Sequence, residues 1–193
     1  ERVAVVPEVD AYRFAKWAGE AGLSATGSIT VGTTDVPALI AAAEADMDDA
    51  EVPYEGRVLY VSATAYQALK AKIERRIINS ENNVNTNVEF FDDMRIIRVP
   101  KGRFNTQITL NTATDSDDDG GYTASGSDIN FMIVHPSAIL QVMKHRVARV
   151  FAPDVVQDAD AYKVNFRYYH DTWVKANKAK GIYVHSVNAV PSI

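Results

Sequence analysis

The chain has 193 residues, with 25 acidic and 20 basic side chains and a formal charge of −5, so its overall charge carries no signal for a polyanion partner. It contains no cysteine, which excludes disulfides and thiolate-ligated metals. Hydrophobic residues make up 47% and charged residues 23%, as in one globular domain or two small ones; no run approaches the roughly 20 apolar residues of a membrane span, and no signal peptide is visible.

The first residues read as the inside of a helix. Val5, Val9 and Tyr12 follow the i, i+4, i+7 spacing of one face, with Val6, Arg13 and Trp17 nearby. Pro7 begins or kinks this helix, and Gly19 and Gly22 end it. Because the chain opens on Glu1 in such a pattern, it is expected to be a fragment of a longer protein. Ser24 to Thr34 reads as a linker, with a short strand expected at Ile29 to Val31. Asp35 is a candidate N-cap, and Pro37 fits the first helical turn. The stripe Val36, Ile40, Ala43, Met47 and Ala50 then carries a helix to about residue 51. Asp35, Glu44, Asp46, Asp48, Asp49, Glu51 and Glu55 meet no lysine or arginine before Arg57. Acids in a last turn oppose the helix dipole at about 0.3–1 kcal/mol each. A solvated face explains them; contact with another subunit or a basic partner is the sharper alternative.

Arg57 to Ser62 reads as a buried strand, and Thr64 to Ile73 as a helix followed by a polar tail and loop, Glu74 to Asn87. Val88 to Pro100 reads as two short strands around Asp92-Asp93, and Ile108 to Leu110 as another. Asn111 to Ser127 reads as the longest loop, Ile129 to Pro136 as a strand, Ser137 to Lys144 as a short helix, and Val147 to Phe151 as a strand. From Ala161 to Ser186 the pattern is a long half-buried strand, with Tyr162, Val164, Phe166 and Tyr168 alternating with Lys163, Asn165 and Arg167. A lysine-rich turn, Lys175 to Gly181, and a second strand, Ile182 to His185, complete what reads as a long hairpin with one wet face. Interleaved helices and hairpin-closed strands predict an α+β fold, a mostly antiparallel sheet with flanking helices.

Few residues carry chemistry. Asp115, Asp117, Asp119 and Gly120 spell the opening of a calcium loop, but its twelfth position is Gly126 rather than a bidentate carboxylate. A solvated acidic loop is the default, and those aspartates are a weak metal candidate. His135, His145, His170 and His185 form no tight ligand pair. His170 stands beside Asp171, but adjacent strand residues point to opposite faces. No nucleophile elbow, dinucleotide fingerprint or phosphate loop occurs. No catalytic or cofactor-binding residue is therefore assigned. The aromatic set Tyr162, Phe166, Tyr168, Tyr169 and Trp173 has the spacing of core or interface rather than of a base-stacking platform. Lys144, His145, Arg146 and Arg149 form one basic cluster and Lys175, Lys178 and Lys180 another. These complement the acids Glu44, Asp48, Asp49 and Glu51, and all are candidate subunit-interface residues.

Several stretches, in order, resemble the tailed-phage major capsid proteins of the Hong Kong 97 fold, most closely those of siphophages and prophages of Gram-positive hosts. VVPEVDAYRFAKWAGEAG resembles the end of the family's spine helix, and VPALIAAAEADMDDAEVPYEGRVLYVSATAYQALK the helix, strand, helix segment of its axial domain. FFDDMRIIRVPKGRF resembles the hairpin and exit strand that follow, and INFMIVHP through GIYVH the return into the peripheral domain. The family's N-terminal arm and extended loop, which lace neighbouring subunits, have no counterpart here. The resemblance implies residues 1–21 as the end of the spine helix, 22–128 as the axial domain and 129–193 as the rest of the peripheral domain. It also implies a non-enzymatic coat protein that assembles through pentamers and hexamers around double-stranded DNA. Scaffold, portal and decoration proteins are further partners it implies, with non-specific DNA contact, no membrane, and a place in the virion after assembly in the host cytoplasm. An encapsulin-like compartment shell shares the fold, and a calcium-binding module is an alternative of another class.

Overall fold

The computed structural model describes residues 5–72, 88–111, 121–155 and 160–190, and the fold is α+β. Its centre is a six-stranded sheet in the order β1 (Leu23–Thr26), β10 (Ile182–Ser186), β7 (Ile129–Val134), β2 (Val58–Ser62), β4 (Met94–Val99), β3 (Phe90–Phe91). The β1–β10 and β2–β4 pairs are parallel and the other three antiparallel. Two further antiparallel ribbons are β5 (Ile108–Leu110) with β6 (Tyr122–Ala124), and β8 (Ile139–Phe151) with β9 (Lys163–Val174).

Strand alternation sorts the core into two layers. Leu59, Val61, Phe131, Ile133 and Tyr183 point to one face, where they meet Val36, Ile40 and Met47 of α2 (Val36–Asp49) and Tyr66 and Leu69 of α3 (Ala63–Lys72). Met132, Val134, Ile182 and Val184 point to the other, where they meet Phe14, Trp17 and Ala18 of α1 (Val5–Gly19) together with Phe104. A sheet covered on both faces buries every residue of its central strands, and all of β7 and β10 is buried.

Helix α2 forms as its sequence predicts. The Asp35 carboxylate accepts a hydrogen bond from the Ala38 amide, and Val36, Ile40, Ala43 and Met47 are fully buried, while Ala50 is only half-buried. Burial of the three large side chains, at about 1.5–3 kcal/mol each, outweighs the dipole penalty of the terminal acids. The helix ends in paired bonds, Val52 N–H to Met47 C=O and Glu51 N–H to Asp48 C=O, with Glu51 in the left-handed region at φ 58°. Asp92 and Asp93, both with positive φ, make the two-residue turn between β3 and β4.

The structure departs from the sequence reading in four places. The first strand is β1 at Leu23–Thr26, not Ile29 to Val31, because its partner β10 lies far away in sequence. Ser137 to Lys144 is not a helix: after a 3-10 turn at Pro136–Ala138 it is the first half of β8. Ile139, Val142 and Met143 fall by chance at helical spacing, although they pair in regular register with β9; the bulge comes only after them, between Met143 and His145. β9 and β10 are not a hairpin; the 3-10 segment Ala176–Gly181 carries the chain from the ribbon into the central sheet. The stretch read as the longest loop contains β6. Glu74 to Asn87 lies outside the described residues.

Candidate assembly surfaces

The longest unsupported element is the β8–β9 ribbon, and α1 holds its root. Tyr12 donates to Asp171 at 2.9 Å, the Trp17 indole donates to the buried Thr172 hydroxyl at 2.9 Å, and the Val174 amide donates to Glu20 at 3.1 Å. The Asp171 carboxyl is held below its usual range by the Thr172 amide and the Tyr12 hydroxyl. His170 packs edge-on against Tyr12 at 5.7 Å and does not pair with Asp171. The neighbours His170 and Asp171 are therefore fixed separately.

Beyond this root the ribbon is not the half-buried strand pair expected. Cross-strand partners share a face, and the register Leu140↔Trp173, Val142↔Asp171 and Val147↔Arg167 puts Leu140, Val142, Val147, Tyr169 and Trp173 on one face. All five are exposed, Tyr169 by 63%, Leu140 by 49% and Trp173 by 44%. Towards the tip the same face carries Arg167, Arg149 and Lys163, also exposed. It is largely apolar at the root, where Asp171 interrupts it beside Val142, and cationic at the tip. An isolated soluble chain rarely exposes so many apolar side chains on one face without a partner for them.

The predicted acidic residues gather at the C-terminal end of α2. Asp49 and Glu51 are exposed. Asp48 is not free: its carboxylate accepts from Arg57 at 2.5 Å. The buried Arg57 side chain also donates to the Val52 carbonyl at 2.7 Å and the Pro53 carbonyl at 3.0 Å, so it tethers the chain just beyond the helix end. Replacing Arg57 with glutamine should cost about 2–3 kcal/mol, because carbonyl acceptors next to the core lose a charged donor. A thermal melt should fall by roughly 4–12 °C, whereas an unchanged melt would mean that water replaces the guanidinium.

Glu44 is half-buried and its carboxyl is pushed up to about 7, by burial first and then by the adjacent Asp92 carboxylate, to which it also hydrogen-bonds. The folded chain thus holds a proton here that the unfolded chain releases near the ordinary glutamate value, so this group's contribution to stability falls as pH rises from about 4.5 through 7. Glu44→Gln should match the wild type in melting temperature at pH 4.5 and exceed it at pH 8.5. The gain should be on the order of 1 kcal/mol after allowing for solvent screening, or about 2–4 °C. A gap that does not change with pH would dismiss the carboxyl pair.

Of the predicted basic residues, Lys144 and Arg149 are exposed on β8, and Lys175, Lys178 and Lys180 are exposed in and beside the 3-10 connector, with the Lys175 ammonium donating to the Ser137 carbonyl at 2.9 Å. The backbone of Arg146 lies in β8. Among the described residues no ion pair joins the acidic set to either basic set. Asp115, Asp117 and Asp119 lie outside the described residues. No helix among the described residues is long and apolar enough to cross a membrane. Sequence reading missed the exposed face of β8, for which the β-branched Val142 and Val147 were the available signal.

No family model matches the chain, and no curated protein does. Solved structures do match. A structure from Mycobacterium phage Che8 superposes with a TM-score of 0.62 at 19% identity, covering 94% of this chain and 58% of that one. The capsid structure of the cyanophage P-SCSP1u gives 0.57 at 18% identity, covering 93% and 60%, and the asymmetric unit of the mature capsid of bacteriophage PhiM1 gives 0.58 at 10% identity, covering 96% and 62%. The chain spans about three fifths of the length of the structures it matches. The fold is that of phage capsid structures, as the ordered resemblance in sequence implies.

Proposed function

We propose that this chain, having a phage capsid fold, is a structural coat protein of a tailed phage, without enzymatic activity. Copies associate into pentamers and hexamers that tile an icosahedral shell around double-stranded DNA. The observation that carries this reading is the β8–β9 ribbon, anchored by two hydrogen bonds to α1 and a third to Glu20 just past its end, yet exposing apolar side chains along one face. A strip of that kind suits burial against neighbouring subunits, and the similarity to phage capsid structures over nearly the whole chain supports the same reading. Contacts within a ring are head-to-tail, so two different surfaces must be complementary. We assign the acidic end of α2 (Glu44, Asp48, Asp49, Glu51) and the basic residues Lys144, Arg146, Arg149, Lys175, Lys178 and Lys180 to such surfaces.

Residues 22–128 form the axial part in this reading, and 1–21 with 129–193 the peripheral part, with β7 and β10 of the latter completing the axial sheet. Scaffold, portal and decoration proteins are partners of the assembled shell, and DNA contact is non-specific, in keeping with the net negative charge. The shell forms in the host cytoplasm and ends as the virion. Negative-stain electron microscopy of the protein expressed from its complete gene tests the proposal. Closed shells or five- and six-membered rings support it; particles that stay monomeric at every concentration and salt tried would refute it.

A further inference from the structure

The seam between α1 and the ribbon root holds an unpaired charge. Arg13 is half-buried, its Nε is shielded from solvent without a hydrogen-bond partner, and no ion pair among the described residues includes it. A guanidinium does not shed its proton, and its shielded Nε–H without an acceptor is costly. Arg13 borders a cleft of about 330 Å³ that it shares with Arg103, Tyr60 and Gln141 over Phe14 and Trp17. The one carboxylate on the rim, Asp10, is already engaged by Arg103 at 3.2 Å. Burial, then the Asp10 charge, pushes the Tyr60 phenol up, so it remains an O–H donor. Nearby, His170 Nδ1 is a second shielded nitrogen without a partner, and its imidazole is held below its ordinary value by burial and then by Arg13. Donors exceed acceptors on this wall, and a planar guanidinium fork matches two oxygens of one anion.

We propose that this cleft binds a small oxyanion, a carboxylate or phosphate group, with Arg13 as its principal contact. The volume is at the low end of ligand pockets, about 300–1,000 Å³, so it takes such a group with a few attached carbons. The site belongs to the isolated chain and stands independently of the shell reading. The anion is either free in solution or the carboxylate of a side chain on a second copy.

The test titrates inorganic phosphate and succinate, at constant ionic strength, into the purified chain while melting temperature and tryptophan fluorescence are followed. The wild type should respond saturably to at least one anion. Arg13→Gln should bind roughly 10- to 100-fold more weakly, the span of one charged hydrogen bond. Arg95→Gln, which removes an exposed guanidinium on β4 outside the cleft, should respond like the wild type. Arg13→Gln should also melt no lower than the wild type without anion, since it removes a charge that has no partner. If it fails to fold, Arg13→Lys, which keeps the charge and loses the fork, takes its place and should still weaken binding. No saturable response to either anion, or an equal response in the Arg13 variant, overturns the site. Anion binding that competes with self-association assigns the occupant to a second copy; binding that leaves association unchanged assigns it to a free anion.

Discussion

Replacing Trp173 and Leu140 together with serine should abolish self-association while leaving the fold standing. The two are cross-strand partners on the exposed face of the ribbon, 44% and 49% accessible in the single chain. An aromatic side chain buries about 150–250 Å² when fully covered, so the exposed share of Trp173 is roughly 70–110 Å². At about 25–30 cal/mol per Å² that is worth about 2–3 kcal/mol per contact, and Leu140 adds to it. Since about 1.4 kcal/mol is a factor of ten, each contact should weaken by roughly 100-fold or more. A shell built from many modest contacts loses that factor at every one. Folding should suffer only the loss of one cross-strand pair, about 0.2–1 kcal/mol, so the melting temperature should fall by no more than about 4 °C. Sedimentation velocity and a thermal melt on the same sample separate the two effects. Association that survives the double substitution would remove the ribbon from the interface, and a collapse of the melt would make the pair part of the core.

Phe131→Ala should be the most damaging single change to the fold itself. Phe131 is fully buried at the centre of β7, paired with Val61 on one side and His185 on the other. Its ring stacks on His185 at 4.8 Å and on Tyr183 at 6.3 Å. Truncation empties the layer beneath α2 and α3, which typically costs about 3–5 kcal/mol and should lower the melting temperature by roughly 6–20 °C. His185 would lose its stacking partner as well. It is itself buried, its Nδ1 lies 3.0 Å from the Asn130 amide, and burial holds its imidazole below the ordinary value. A variant that melts within about 2 °C of the wild type would mean the site collapses without a cavity.

The parts of this architecture with strong local signals were legible in the chain. Asp35, Pro37 and the stripe Val36, Ile40, Ala43, Met47 located α2 almost to the residue, because cap, first turn and apolar spacing all act within the helix itself. Asp92-Asp93 located the β3–β4 turn for the same reason, a positive φ at both positions that aspartate tolerates. The ordered resemblance to phage capsid proteins identified the fold although no single segment was diagnostic. The acids of α2 were visible as a cluster, but not that Arg57 reaches back to Asp48 or that Glu44 meets Asp92 across a turn.

What the residues alone determined, then, are the elements with strong local signals, such as α2 and the β3–β4 turn, the exclusion of thiol chemistry and the family likeness. Only the tertiary structure decided which strands pair, which faces stay exposed and where charges meet. β10 is read from its sequence as the partner of β9, yet its side chains are all buried only because it inserts between β1 and β7 in a sheet covered on both sides. β9, with the same alternation as a half-buried strand, keeps Tyr169 and Trp173 exposed because nothing among the described residues covers that face. A period of two records that a strand has two faces; which of them is buried depends on partners distant in sequence or on other molecules.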